Sequence, residues 1–183
     1  MLKPQALWSL QGLTRGDLLT LIGSARAFQH AAGETVSRPA PLRGKNLALL
    51  SDDPDSAGGH AFMRAATSLG ALVSRVRATE PGPRGLRDRA GLLGQLYDAI
   101  ECQGLAEAEL HQLGRGAGVP VFNGIATPGH ALQDLAALMT LQEMRGDVTL
   151  PLLAPPLVGP LPADALARNH HHLLQAVLSS ALV

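Results

Sequence analysis

Residues 46–76, NLALLSDDPDSAGGHAFMRAATSLGALVSRV, contain the pattern that decides the fold. The run Asn46–Leu50 is almost entirely apolar and is short enough for a buried strand, and Leu72–Val76 predicts a second strand. Between them, apolar residues at helical spacing predict a helix that follows Gly58 and ends at Gly70. A strand, a helix and a strand at this spacing are typical of a right-handed crossover between parallel strands.

The same alternation continues on both sides of this segment. Before it, Thr14 and Asp17 form a capping pattern that predicts a helix ending near Gly33. After it, the sequence predicts strands over 97–100 and 119–122 and helices over 86–96, 105–114, 130–144 and 163–182. Strands that alternate with helices predict an α/β fold: a single three-layer domain with a central, mainly parallel sheet flanked by helices.

The composition and the charge of the chain exclude several classes of function. The chain has 183 residues, of which 3% are aromatic, and 15 Lys and Arg balance 15 Asp and Glu. Because a basic surface and stacking aromatics are both missing, no binding to nucleic acid is expected. No apolar stretch approaches a membrane span or a signal-peptide core, so we expect a cytoplasmic protein that makes no membrane contact.

The chain has a single cysteine, Cys102, which excludes an internal disulfide and leaves too few thiolates for a zinc cluster. No paired base can be named for Cys102, so a buried, unreactive thiol is favoured over a nucleophile. The three histidines at 170–172 occupy consecutive helical positions about 100° apart, so their rings diverge and cannot chelate one metal ion. We expect them to be solvated or capping histidines.

An acidic loop formed by Asp52, Asp53 and Asp55 follows the first strand. With His60 it has the residue types of a site for a hard cation, although its spacing matches no known calcium loop. A solvated acidic turn, in which Asp or Ser caps the helix beginning near Gly58, is favoured. The sequence therefore predicts no metal site, and because the spacing of a dinucleotide fingerprint is absent, it predicts no cofactor.

Several segments resemble, in the same order, the ornithine/aspartate carbamoyltransferase family, most closely its ornithine branch. The resemblance covers about residues 14–145 and 164–182. The matching segments are LRGKNLALL at 42–50, Phe62 with Leu69-Gly70, YDAIE at 97–101 with Gly104, VPVFNG at 119–124, HALQ at 130–133, LMTLQE at 138–143 and NHHHLLQAV at 169–177.

The resemblance implies a particular domain organisation. Residues 1–146 correspond to the carbamoyl-phosphate-binding domain, and residues 163–183 correspond to a closing helix that packs back on it. Between them the family has a second domain, which binds the amino-acid co-substrate. Here that place is taken by residues 147–162, a proline-rich stretch expected to be an extended linker because proline cannot continue a helix.

The resemblance also implies a carbamoyl-phosphate site that has degenerated. The family binds the phosphate with Ser-Thr-Arg-Thr-Arg at the start of the helix after strand one, where a helix N-terminus favours anions. Here the aligned residues are Asp55-Ser56-Ala57-Gly58-Gly59, without arginine, and Arg89 lies two residues before the next family arginine. Of the family motif His-Pro-x-Gln, His130 and Gln133 remain. The implied ligand-binding residues are Ser56, Gly58, Gly59, His130 and Gln133, and no catalytic residue is predicted.

These observations predict a protein related to arginine and ornithine metabolism that does not transfer carbamoyl groups. It would act as a structural or regulatory subunit, and the resemblance implies a homotrimer or association with an intact carbamoyltransferase paralogue. The alternative is a small-molecule or amino-acid binding module, or a low-activity enzyme, that uses the pocket near His130 and Gln133. A relic without selected function is a third hypothesis.

Overall fold

The structure is a computed structural model that describes residues 13–33, 40–78, 86–145 and 160–183. The predicted alternation of strands and helices is confirmed in these ranges. In chain order the elements are α1 (Arg15–Gly33), β1 (Asn46–Leu50), α2 (Ala57–Ser68), β2 (Leu72–Val76), α3 (Leu86–Leu96), β3 (Ala99–Cys102), α4 (Glu107–Ala117), β4 (Val121–Asn123), α5 (Ala131–Arg145) and α6 (Ala163–Leu182).

The four strands form one parallel sheet in the order β2-β1-β3-β4. Asn46 is in register with Leu72 on one side of β1, and Leu47 with Ala99 on the other side. The chain therefore moves outward from β1 to β2 and then crosses back to β3. In open parallel sheets, the crevice beyond the carboxyl ends of the strands at such a reversal is where ligands bind.

Side chains alternate between the two faces of each strand, and this alternation builds two cores. Leu47, Leu49 and Phe122 face a large core that includes residues of α1, α2, α5 and α6. Ala48 and Leu50 face a second core shared with α3 and α4. The three-layer α/β fold is thus confirmed, and α6 packs against α1, α2 and α5.

Several element boundaries differ from the prediction, among them those of β3, β4 and α4. Strand β3 runs two residues further than expected, through Glu101 and Cys102, because the sheet accepts a glutamate in a buried position. Strand β4 ends at Asn123, which is in register with Cys102. Helix α4 continues past Gly114 and ends only where Gly118 adopts a left-handed conformation, with φ of 69°.

The proposed linker falls largely outside the described residues, so the domain boundaries at 146 and 163 stay predictions. The loop expected at 79–85 also lies outside them. No helix in the described part of the chain combines the length and the apolar character that a membrane span requires.

Candidate functional site

Two polar side chains meet where β1 and β3 end, at the reversal point of the sheet. Ser56 follows β1 and caps α2, with its Oγ accepting a hydrogen bond of 3.0 Å from the Gly59 N–H. The same hydroxyl donates to Gln103 Oε1 at 3.2 Å, and Gln103 follows β3. The prediction that an Asp or Ser caps this helix is confirmed, and the capping residue is Ser56.

The first turn of α2 is buried because Gly58 and Gly59 allow the backbone to approach its surroundings closely. A Cβ on Gly58 would lie 3.2 Å from Ala126 O and from Thr127 Cα, so this turn packs directly on the loop that follows β4. A Cβ on Gly59 would overlap the carbonyl oxygen of Pro54. The loop before α2 therefore lies tightly against the first turn of the helix.

The acidic loop is exposed, and Asp55 forms an ion pair with a residue of β2. Asp55 Oδ1 lies 2.8 Å from Arg75 Nη1 on β2 and 3.7 Å from His60 Nε2. No group of His, Cys, Asp and Glu within the described ranges is arranged to hold a metal ion. Arg75 was not foreseen at this loop, because its position follows from the pairing of β1 with β2.

Glu101 is the most unusual residue near the site. Its side chain is completely buried, on the same face of the sheet as Leu49 and Phe122, and burial raises the pKa of its carboxyl to about 8. Gln103 Nε2 donates to Oε1 at 3.3 Å, while Oε2 has no partner within the described residues. Glu101 is therefore protonated at neutral pH, and it continues the polar chain that begins at Ser56.

His130 and Gln133 both lie at the N-terminus of α5, and both form capping hydrogen bonds there. His130 Nδ1 accepts from the Leu132 N–H at 3.2 Å, and Gln133 Oε1 accepts from the Gly129 N–H at 3.1 Å. Because Nδ1 is an acceptor, the proton of the neutral His130 ring is on Nε2, which is buried and has no partner in the described part of the chain. Burial and the neighbouring His170 lower the pKa of His130, although Asp134 opposes this.

The expectation that the three consecutive histidines are solvated is wrong for His172, whereas His170 and His171 are partly exposed. His172 is buried in the interface of α6, where its Nδ1 lies 2.8 Å from Gln175 Oε1. His170 is partly buried, and its burial lowers its pKa against the effect of a backbone hydrogen bond with Ile125.

The remaining candidates have structural roles. Cys102 is buried, and burial together with the nearby Glu101 raises the pKa of its thiol, as expected for an unreactive cysteine. Arg89 donates to the backbone carbonyls of Ala78 at 2.8 Å and Arg77 at 2.9 Å, so its guanidinium supports the end of the segment after β2.

The structure arranges most of the implied residues around one loop, residues 124–130. Gly58 packs against this loop from α2, and His130 is its last residue. Ser56 is linked to the loop by hydrogen bonds through Gln103 to Glu101. The N–H groups of Ile125 and Ala126, in the loop, lie at the Glu101 carboxyl. Sequence reasoning missed Glu101, Gln103, Arg75 and His170. A polar pair two residues apart, at the end of an apolar strand, was the available signal for Glu101 and Gln103.

The fold and the reversal point define a parallel α/β domain with polar groups at its carboxyl edge. A family model described as "Aspartate/ornithine carbamoyltransferase, carbamoyl-P binding domain" matches residues 5–143. The chain belongs to this carbamoyltransferase family.

Individual relatives agree with this assignment. The ornithine carbamoyltransferase of Actinobacillus pleuropneumoniae serotype 5b is 35% identical over 147 residues, which are 78% of this chain and 43% of the relative. The catabolic ornithine carbamoyltransferase of Burkholderia mallei is 36% identical over 130 residues, covering 69% of this chain and 38% of the relative. The chain thus spans less than half the length of these relatives.

Solved structures give the same result for the fold. Ornithine carbamoyltransferase from Pyrococcus furiosus matches with a TM-score of 0.65 and 29% identity, over 76% of this chain and 45% of that chain. The catalytic subunit of M. jannaschii aspartate transcarbamoylase matches with a TM-score of 0.66 over 77% of this chain and 47% of that chain; its identity of 21% supports the fold alone.

Proposed function

We propose that this carbamoyltransferase-family chain does not transfer carbamoyl groups by itself and serves as a structural or regulatory subunit of an oligomer. The observation that carries the proposal is that side chains expected to bind the ligand instead cap helices α2 and α5. Ser56 caps its own helix and donates to Gln103, while His130 and Gln133 cap α5. Three atoms of residues that the resemblance assigns to the ligand are thus engaged within the chain, namely Ser56 Oγ, His130 Nδ1 and Gln133 Oε1, while His130 Nε2 has no partner among the described residues.

The charges near this point disfavour a small anion. Asp55 is exposed at the loop before α2, and the guanidinium that reaches the loop, Arg75, is already paired with it. Hydrogen bonds to charged groups contribute roughly 1.5–3 kcal/mol each, so Ala57 and Gly59, which stand where the family has two arginines, forfeit much of the affinity for a phosphate. Glu101 lies near this loop, and burial already disfavours its ionised form. A bound anion would disfavour that form further, because like charges repel.

A subunit role is supported by the exposed edge of the sheet. Strand β2 pairs with β1 on one side only, and Leu72 at its start is 68% exposed. An edge strand with an exposed apolar residue is a surface on which another chain can pack. The resemblance implies a trimer, and we propose either a homotrimer or a mixed assembly with an intact carbamoyltransferase.

Calorimetric titration of the full chain with carbamoyl phosphate tests the loss of the ligand site. We expect no binding at millimolar ligand, whereas an intact ornithine carbamoyltransferase binds under the same conditions. In Ala57→Arg, an arginine returns to the exposed first position of α2, and we expect it to improve phosphate binding at least tenfold. Micromolar binding by the unaltered chain, with turnover of ornithine, would refute the proposal.

Light scattering on the eluting chain tests the oligomer. We expect a mass above that of the monomer, or co-elution with an intact carbamoyltransferase. Leu72→Lys at the sheet edge is expected to weaken the assembly, while Leu19→Lys on α1, another exposed leucine, serves as the control. A strict monomer that fails to associate with the intact enzyme contradicts the subunit role.

A second candidate function is a binding module for an uncharged or cationic small molecule. It is favoured by two buried atoms beside the 124–130 loop, His130 Nε2 and Glu101 Oε2, which have no hydrogen-bond partner among the described residues. Buried polar groups are normally paired, so a ligand that supplies partners would stabilise both. Titration with ornithine and other amino acids separates this function from the subunit role, which predicts no heat of binding.

A further inference from the structure

The outer edge of β2 presents backbone groups that can pair with a further strand. Leu72 N–H and Val76 O both bond to backbone groups on the β1 side, at 2.9 Å and 3.0 Å. Because the bonding direction alternates along a parallel strand, the N–H and C=O groups of Val73 and Arg75 point away from the sheet. Strand β2 is the end of the sheet in the described part of the chain, so these groups are open.

The end of this edge is closed by a side chain. The guanidinium of Arg89 on α3 donates to the carbonyls of Arg77 at 2.9 Å and Ala78 at 2.8 Å, so these two acceptors are already engaged. The open part of the edge is therefore the strand itself, Leu72–Val76. At about 3.3 Å per residue, it has room for a partner segment of about five residues.

The side of this edge that faces α2 is basic. Arg75 and Arg77 share a face of the strand, and Arg75 contacts Asp55, in the loop before α2, at 2.8 Å. Arg64 lies one helical turn after His60, whose ring is 3.7 Å from the same carboxylate. Arg64 and Arg77 are exposed, and no carboxylate of the described residues forms an ion pair with either.

The opposite side of the edge is apolar at its start. Leu72 is 68% exposed, and it shares its face of the strand with Val76, which packs against the second core. Side chains of neighbouring strands interact when they lie on the same face of a sheet. A strand that pairs with β2 is therefore stabilised by acidic side chains on its α2 face and by apolar side chains on its other face.

We propose that a partner protein adds a fifth strand to β2 with a segment of about five residues in which acidic and apolar side chains alternate. The backbone of this segment bonds to Val73 and Arg75, its carboxylates contact the arginines on the α2 side, and its apolar side chains cover Leu72. The inference rests on the subunit role and names the chemistry of the partner. Light scattering tests that role, whereas peptide binding tests this edge alone.

Two peptides test the edge on the full chain, each of about six residues and capped at both ends. One alternates valine with glutamate, and the other alternates valine with lysine. We expect the glutamate peptide to bind about tenfold more tightly, because its charge complements the arginines. No binding of the glutamate peptide, or equal affinities for the two peptides, would overturn the proposal.

Amide hydrogen exchange shows whether the peptide pairs with the strand. The glutamate peptide should slow the exchange of the Val73 and Arg75 amides, while those of Leu72 and Ser74, which bond to β1, should change little. Binding without protection of Val73 and Arg75 would contradict the added strand. Protection of these two amides in the chain alone, increasing with its concentration, would identify a second copy as the occupant and also overturn the proposal.

A matched pair of charge reversals tests the role of the arginines. Arg64→Glu changes the α2 side of the edge without altering β2, and it should weaken binding of the glutamate peptide roughly threefold to fivefold. Arg115→Glu makes the same change at an exposed position of α4 and should leave binding unchanged. Undiminished binding by a folded Arg64→Glu chain, shown by its thermal transition, would contradict the proposed contact.

Discussion

Glu101 couples the protonation of one buried carboxyl to the stability of the domain. Its pKa rises from an ordinary 4.5 to about 8 because the side chain is completely buried. Between these two values the folded chain holds a proton that the unfolded chain has released. The free energy of unfolding therefore falls as the pH rises through this window, and the lost contribution is not recovered above it.

Replacing Glu101 with glutamine should remove this pH dependence. Each unit of pKa shift corresponds to about 1.4 kcal/mol, so the unaltered chain should lose about 2 kcal/mol between pH 6.5 and pH 8, whereas Glu101→Gln should lose almost nothing. Urea denaturation at a series of pH values measures the difference. Glu107→Gln, at an exposed position of α4, is the control and should retain the loss.

Two partly buried histidines are the reason why the comparison between the unaltered chain and Glu101→Gln begins at pH 6.5. Burial lowers the pKa of His130 and of His170, so the folded chain holds fewer protons than the unfolded chain below their ordinary value of 6.5. Their contribution makes stability rise with pH below that value, which is opposite in sign to that of Glu101. A chain whose stability does not decrease between pH 6.5 and pH 8 would show that Glu101 is ionised in the fold.

Single-residue properties of this kind were only partly predictable from the sequence. The capping role of Ser56 follows from its position before a helix, and the burial of Cys102 follows from its apolar strand. The environment of Glu101 depends on the 124–130 loop, whose Ile125 and Ala126 backbone groups lie at its carboxyl and are distant from it in the sequence. The buried position of His172 likewise depends on its contact with Gln175, since a histidine triplet alone carries no sign of which ring faces inward.

At the scale of the elements, two helical glycines offer a matched test, one in the first turn of α2 and one in the interior of α1. A Cβ on Gly59 in α2 would overlap Pro54 O, a backbone atom of a loop that is held by hydrogen bonds to Ser51 and Asp53. A Cβ on Gly23 in α1 would meet nothing within 4 Å. The same substitution should therefore have opposite effects at the two sites.

Gly59→Ala should lower the free energy of unfolding by roughly 1–3 kcal/mol, as expected for overpacking. Gly23→Ala should raise it by about 1 kcal/mol, since alanine is the better helix former. Thermal or urea denaturation of the two variants measures both changes. If Gly59→Ala were as stable as Gly23→Ala, the loop before α2 would not lie against the helix as described.

The elements also show where sequence patterns reach their limit. Strands β1 and β2 and helices α3 and α6 have the predicted bounds, because each is an apolar or amphipathic run between clear breaks. Strand β3 was predicted over residues 97–100, but it begins at Ala99 and continues through the buried Glu101 to Cys102. Local patterns do not express this shift, because a buried carboxyl is normally unfavourable in a strand.

At the scale of the whole molecule, α6 packs into the core that residues of α1, β1 and α2 form. Four fully buried residues of α6, Leu173, Leu174, Val177 and Leu178, belong to the same core as Leu47 and Phe62. Asn169 adds a buried hydrogen bond of 3.0 Å from its Nδ2 to Thr140 Oγ1 on α5.

A chain that ends at residue 159 should not fold cooperatively. Burying one large apolar side chain contributes about 1.5–3 kcal/mol, so the four residues contribute roughly 6–12 kcal/mol, comparable with the total stability of a small domain, about 5–15 kcal/mol. Circular dichroism should show a broad or absent thermal transition for the truncated chain. Adding a synthetic peptide of residues 160–183 should restore it, because α6 packs by side-chain contacts that need no covalent link.

A chain lacking only the exposed Val183 is the control and should melt normally. If the chain ending at 159 melted as sharply as this control, α6 would be an appendage, and the core would be complete without it.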